Sequence, residues 1–210
     1  DLVGLTAGSY DVTITDQNNE NCFIVETIIL NEPSEIQLSL SSSDLTCFEI
    51  CDGSISSSVL GGVSEFTYEW TGPNGFVSNE QNLSNLCVGI YNLNVLDDNN
   101  CIQSSSIEIF QPEILTSNIN IIPPACSGYP ACVTIDSFGG TGDNYTYTFY
   151  QDAGNQGPLD NCTPETEDLL VEPSISNGCF NLVSGDYFVI TTDENDCCIV
   201  NSFSISPAAD

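Results

Sequence analysis

The sequence predicts an all-β chain built of tandem sandwich modules in a linear array. Three observations predict it. One short pattern occurs three times at fixed internal spacing. Apolar and polar residues alternate through most apolar runs. No stretch carries a convincing amphipathic helical period. The pattern is Gly8-Ser9-Tyr10 with Asp16, Cys22 and Pro33, then Gly89-Ile90-Tyr91 with Asp97, Cys101 and Pro112, then Gly185-Asp186-Tyr187 with Asp193, Cys197 and Pro207. From Cys to Pro the distances are 11, 11 and 10 residues. Fixed internal spacing at a long period marks an array of similar modules.

The elements follow in order. Tyr10-Asp11-Val12-Thr13-Ile14 and Tyr91-Asn92-Leu93-Asn94-Val95 alternate with period two, the mark of a half-buried strand. Each ends in a polar turn, Asp16-Gln17-Asn18-Asn19, Asp97-Asp98-Asn99-Asn100 or Asp193-Glu194-Asn195-Asp196. A second strand follows, such as Ile102 to Phe110, and closes at proline. Upstream, Ile36 to Leu40 and Gly53 to Leu60 alternate, Gly61-Gly62 breaks the run, and Phe66, Tyr68 and Trp70 take every second position. The later repeat keeps this order with Val133, Ile135, Gly139-Gly140, Tyr145, Tyr147 and Phe149. Six or seven strands in this order suggest two packed antiparallel sheets, immunoglobulin-like in architecture, with Trp70 between them.

The prolines set the expected boundaries. Residues 1–33 read as the C-terminal hairpin of one repeat, 34–112 as a complete sandwich, and 113–210 as another. The later repeat is longer by 17 residues, which fall in the segment Gln151 to Gly178. Because the chain opens inside a repeat, it reads as a fragment of something longer.

Composition bounds the chemistry. The chain has 210 residues, no Lys, Arg or His, 30 acidic residues and a formal charge of -30. Nucleic acid is excluded as a partner, since phosphate binding needs Lys and Arg. Anionic membrane surfaces are disfavoured for the same reason. No apolar run approaches the ~20 residues of a membrane span. With 40% hydrophobic residues in ordered runs, the chain is not a disordered acidic segment. Without His, neither a Ser-His nor a Cys-His catalytic pair exists, and without Lys no Schiff base forms. Carboxylate pairs are abundant, but small sandwiches seldom form the deep cleft that glycoside chemistry needs. The chain therefore reads as a non-enzyme.

Eleven cysteines without His and without a CxxC pair point to disulfides in an extracellular setting rather than to zinc. Cys51 and Cys87 are expected at the same end of one sandwich, which makes them the first candidate bridge. Cys162–Cys179 would close the insertion, with Cys132 to Cys179 as the rival pairing. Cys47 is expected at the C-terminal end of its module, with the Cys197-Cys198 turn of the next repeat facing back toward it, so a bridge from Cys47 to one of the two would join two repeats. An odd count leaves at least one cysteine free or partnered outside the chain. Sequons at Asn82, Asn144 and Asn161 are candidate glycosylation sites. Calcium is the one cofactor the residues suggest, because Asp97, Asp98, Asn100, Asp193 and Asp196 group oxygen donors in tight turns. Asp and Asn also favour turns with no ion at all.

Cys47-Phe48-Glu49-Ile50-Cys51-Asp52-Gly53-Ser54-Ile55, Gly61-Gly62 and Phe66-Thr67-Tyr68-Glu69-Trp70 resemble the first half of an SprB-type repeat. Asn85-Leu86-Cys87-Val88-Gly89-Ile90-Tyr91, Asp97 and Cys101 resemble its second half. The later repeat departs from the pattern: it lacks the Trp, carries the insertion and has Cys197-Cys198 where one Cys is usual. The resemblance implies modules of large cell-surface adhesins of gliding bacteria, with no active site. Two alternatives stand beside it. One is a self-assembling fibre subunit whose first repeat is completed by a neighbouring chain. The other is a carbohydrate- or surface-binding module that uses the insertion and Tyr150. The partners these readings imply are neighbouring repeats, identical subunits or a surface glycan.

Overall fold

The structure is a computed structural model that describes residues 2–152, 162 and 169–208. Its elements in chain order are β1 (Gly8–Asp16), β2 (Asn19–Leu30), β3 (Gln37–Ser43), β4 (Gly53–Leu60), β5 (Thr67–Thr71), a 3-10 turn (Pro73–Gly75), β6 (Val77–Ser78), β7 (Leu83–Leu86), β8 (Gly89–Leu96), β9 (Ile102–Ile109), β10 (Glu113–Ile122), β11 (Ala131–Gly140), β12 (Thr146–Gln151), β13 (Leu169–Val171), β14 (Ser174–Ser176), β15 (Cys179–Leu182), β16 (Gly185–Thr192) and β17 (Cys198–Ile205). The alternating runs found in the sequence are strands, and the α-helix is absent among the described residues. Among them, too, no helix is long and apolar enough to cross a membrane.

The fold is that of tandem immunoglobulin-like sandwiches. Strand order is β3-β4-β7 and β6-β5-β8-β9 in the earlier repeat, and β10-β11-β15-β14 and β13-β12-β16-β17 in the later one. The two layouts match strand for strand, apart from the extra edge strand β14. A further two-stranded sheet is the hairpin β1-β2.

The chain divides into two compact units. One comprises Asp1–Ser41, Ser56–Asn82 and Tyr91–Ile107; the other comprises Ser42–Ile55, Leu83–Ile90 and Glu108–Asp210. In the first unit, β5 pairs antiparallel with β8 from Thr67 opposite Leu96 to Thr71 opposite Asn92. The inward positions of these strands are Trp70, Leu93 and Val95, all within 1% of full burial. The Trp70 indole N–H donates to the Glu80 carbonyl at 2.9 Å, so the one polar atom of that ring is satisfied.

In the second unit, both sheets of the later repeat feed one core. Ala131 and Val133 come from β11, Leu182 from β15, Phe149 from β12, Tyr187 and Val189 from β16, and Ile205 from β17. Phe149 meets Phe180 with ring centroids 4.8 Å apart, and Tyr187 stacks on Phe203 at 5.7 Å. A residue such as Phe149, moved fully out of water, contributes about 1.5–3 kcal/mol.

The hairpin β1-β2 belongs to the first unit and has no such cover. Val12 is 40% exposed and Ile14 63% exposed. The matching positions after the tyrosine in the complete repeats, Leu93 and Val95 or Val189 and Thr191, are 0% exposed.

Candidate functional site

The three-fold sequence pattern is a pair of structural devices. The first is a tyrosine corner. The Tyr10 hydroxyl donates to the Thr6 carbonyl at 2.7 Å, and Tyr187 donates to Val183 at 3.2 Å, in each case four residues upstream. This bond fixes the angle at which the chain enters the strand, as in other immunoglobulin-like sandwiches.

The second device is a carboxylate lock. Asp193 Oδ1 accepts from the backbone N–H of Asn195 and of Cys197, each at 2.9 Å, which closes its own turn. Its Oδ2 accepts from the Thr141 N–H at 2.7 Å and from the Thr141 hydroxyl at 3.2 Å. Asp97 repeats the arrangement: Oδ1 takes Asn99 and Cys101, and Oδ2 takes the Val63 N–H at 3.1 Å. The fourth turn residue is left-handed in both, Asn100 at φ 61° and Asp196 at φ 63°, a conformation that Asn and Asp tolerate. Each lock reaches the residue after a Gly-Gly pair. A Cβ at Gly61 or Gly139 would strike the main-chain carbonyl of Glu35 or Ile114, so that pair is required by contact. Backbone hydrogen bonds, led by that from Cys101, hold the Asp97 carboxyl below the usual carboxylate range despite desolvation. Among the described residues, Asp16 accepts the equivalent turn bond from the Asn18 N–H at 2.8 Å.

The residues expected to hold calcium are placed as follows. Asp97 and Asp193 are buried and spend their carboxylate oxygens on N–H and O–H donors. Asp98, Asn100 and Asp196 are exposed at the same turns. Among the described residues, no group of three or more His, Cys, Asp or Glu is arranged to hold a metal ion. Of the sequon residues, Asn82 accepts a 2.9 Å hydrogen bond from the Ser57 N–H, and Asn144 donates to Glu194 Oε1 at 2.6 Å. Asn161 lies outside the described residues, as do 153–160 and 163–168 of the segment 151–178.

Four disulfides are formed. Cys51–Cys87 joins the start of β4 to the end of β7, with Cα atoms 4.1 Å apart. Cys132–Cys179 joins β11 to β15 in the same way in the later repeat. Cys132 stands opposite Asn181 in that pair of strands, on the face Cys179 shares two residues along. Cys162 is therefore not paired with Cys179, as the insertion-closing expectation had it; it bridges Cys198. The adjacent Cys197 bridges Cys47, 150 residues away, with Cα atoms 5.6 Å apart. Consecutive residues entering a strand point to opposite sides, which lets Cys197 and Cys198 serve two different partners. Cys22, Cys101 and Cys126 are free and exposed. Desolvation and the Asp97 carboxylate beside it push the Cys101 thiol up.

The segment that carries Cys47 is anchored on both sides. Asp52 accepts from the Thr46 N–H at 3.1 Å and from the Thr46 hydroxyl, which lowers its pKa. Asp44 accepts from the Phe110 N–H at 3.0 Å, Leu45 donates to the Phe110 carbonyl at 3.0 Å, and Glu49 N–H donates to Gln111 at 3.2 Å. Thr141 Oγ1 and Asn195 Nδ2 both lie within 3.5 Å of the Thr46 carbonyl. The bridge thus ends a docked surface rather than a loose loop.

The proposed aromatic contact does not stand free. Tyr150 is half-buried and stacks on Phe188 at 5.0 Å and 12°. Phe188 and Ile190 are each 7% exposed, so β16 is covered on its second face as well, and Tyr150 is part of that cover.

No protein-family model matches the chain, and no curated protein matches it. Among solved structures the chain is similar to the N-terminal eight Ig domains of Down Syndrome Cell Adhesion Molecule isoform 1.30.30, at 10% identity and a TM-score of 0.43. The match covers 97% of this chain and 28% of that one.

Proposed function

We propose that this chain is a non-catalytic segment of a long extracellular surface adhesin or filament, stiffened by disulfides. The observation that carries the reading is Cys47–Cys197, a covalent link between the start of one sequence repeat and the hairpin turn of the next. In this reading the repeats run over 1–33, 34–112 and 113–210. A link of this kind makes neighbouring repeats move together, which suits a stalk that transmits force. Four disulfides fit an oxidising, extracellular location. The SprB-type resemblance adds the expectation of a gliding-motility adhesin, displayed in many copies and free of enzymatic activity. The acidic surface limits self-association and gathers counterions. Because the Asp97 and Asp193 carboxylates are already engaged, calcium enters this account as diffuse association rather than as a discrete ligand site.

A fibre subunit is the second reading, favoured by the uncovered apolar positions of β1-β2. In that reading a strand of a neighbouring chain would cover those positions. A glycan-binding module has less support, given that Tyr150 is occupied by Phe188. Electron microscopy of the native surface assembly separates the first two readings. Single strands of beads are expected for a stalk; regular helical filaments would replace that account with the fibre.

A further inference from the structure

The core of the later repeat contains a polar layer where the earlier repeat is apolar. Ser117 on β10 stands opposite Ser137 on β11, and Tyr147 on β12 stands opposite Thr191 on β16. Spacing from the Gly-Gly pair and from the lock aspartate gives the equivalents in the earlier repeat. Ser137 and Thr191 precede Gly139 and Asp193 by two residues, as Val59 and Val95 precede Gly61 and Asp97. Ser117 follows Ile114 by three residues, as Leu38 follows Glu35. Ile114 and Glu35 are the residues whose carbonyls crowd Gly139 and Gly61. Three apolar side chains are thus replaced by three hydroxyls.

These hydroxyls form a directed chain. Tyr147 donates to Ser137 Oγ at 3.2 Å, and Ser117 donates to Thr191 Oγ1 at 3.1 Å. The Ser117 and Ser137 hydroxyls are 2.7 Å apart. A hydroxyl has one proton to give. The Ser117 proton goes to Thr191, so Ser137 donates to Ser117, and the order runs Tyr147, Ser137, Ser117, Thr191. The Thr191 proton is left over. Thr191 is 0% exposed, so this proton does not reach bulk solvent. Among the described residues no acceptor takes it.

An acceptor in the same core is in the converse position. Asn201 Oδ1, on β17, is buried and accepts from no donor among the described residues. The register of β16 and β17 puts Ile199 opposite Thr191 and Asn201 opposite Val189. Thr191 and Asn201 therefore share the face of the core residue Val189 as diagonal neighbours. Such neighbours stand roughly 7–8 Å apart, too far for two short side chains to bond directly and within the span of a bridging water. A buried donor and a buried acceptor left unmet side by side would both cost stability.

We infer that the core of the later repeat binds one structural water, which accepts the Thr191 hydroxyl proton and donates to Asn201 Oδ1. Water fits better than an ion, because neither group is charged and the rest of the layer pairs donor to acceptor. The bound water completes a relay from β10 and β11 in one sheet to β12, β16 and β17 in the other. It ties the edge strand β17, which begins at Cys198, to the opposite sheet. The earlier repeat binds no counterpart, because Val95 has no proton to give. The inference is independent of the array reading.

The test is a crystal structure of the full chain at a resolution that shows ordered water, together with deuteron relaxation dispersion in solution. The expected result is a water peak within hydrogen-bond distance of both Thr191 Oγ1 and Asn201 Oδ1. Thr191→Val installs the residue of the earlier repeat. It should remove that peak and lower the dispersion amplitude by the share of one long-lived water. An Asn201 amide turned to bond Thr191 directly would overturn the inference, as would an unchanged dispersion in folded Thr191→Val. If that variant does not fold, the crystal structure of the unsubstituted chain decides: water at the bridge supports the inference, and a bridge without water overturns it.

Discussion

The Asp193 carboxylate holds the Thr141 backbone N–H at 2.7 Å across 52 residues of sequence, and Asp97 does the same for Val63 across 34. A residue that reads as a turn former is thus also a tie between the hairpin turn and the Gly-Gly corner. Asp193→Ala leaves the donors of Thr141, Asn195 and Cys197 without their acceptor. The expected cost is roughly 1–3 kcal/mol in urea unfolding, the usual range for leaving a buried donor unsatisfied. Asp16→Ala, at the exposed hairpin turn, should stay within about 0.5 kcal/mol. Equal effects at both positions would show that the long-range bond is not what matters.

Acid should act through the same carboxylates. Asp97 and Asp52 have pKa values lowered in the folded state, chiefly by the backbone donor of Cys101 and the side-chain donor of Thr46 respectively. A folded pKa below the unfolded value means full stability above the ordinary aspartate value of about 3.9, and loss as pH falls through the lower folded value. Thermal melts from neutral pH downward should therefore hold steady until about pH 4 and then decline. A decline that begins well above that point would assign the acid sensitivity to other groups.

Trp70 is the single tryptophan and is 1% exposed. Native emission should be blue-shifted and resistant to acrylamide, and should redden on unfolding. Trp70→Ala should cost about 3–5 kcal/mol. Red, readily quenched native emission would place the ring outside the core.

Removing Cys51 and Cys87 together by alanine substitution opens a bridge across 36 residues. Chain-entropy reasoning puts the loss near 3–4 kcal/mol. Differential scanning calorimetry with a reductant series gives the comparison, and an unchanged melting temperature would contradict the assignment.

The sequence showed some layers of this structure plainly and hid others. Alternation in Tyr91 to Val95 and Phe66 to Trp70 is local, and the strands follow it. The sequence pointed to a bridge from Cys47 to Cys197 or Cys198, and the structure forms it with Cys197, both residues lying in the second compact unit. Cys162–Cys198 was not legible, because it depends on strand register across residues remote in sequence. The role of Asp97 and Asp193 was hidden for the same reason: the turn is local, but its second acceptor oxygen is spent on Val63 or Thr141. Tyr150 misled because Phe188, Val189 and Ile190 are all buried, so β16 has no exposed face for alternation to mark.

The central claim is that successive repeats are covalently joined, and mapping the disulfides of the unreduced native protein tests it most directly. Trypsin has no site in a chain without Lys and Arg, so an Asp/Glu-directed protease is needed. The account predicts a peptide pair joining Cys47 to Cys197. Finding Cys47 as a free thiol, or bonded within its own repeat to Cys51 or Cys87, would contradict it.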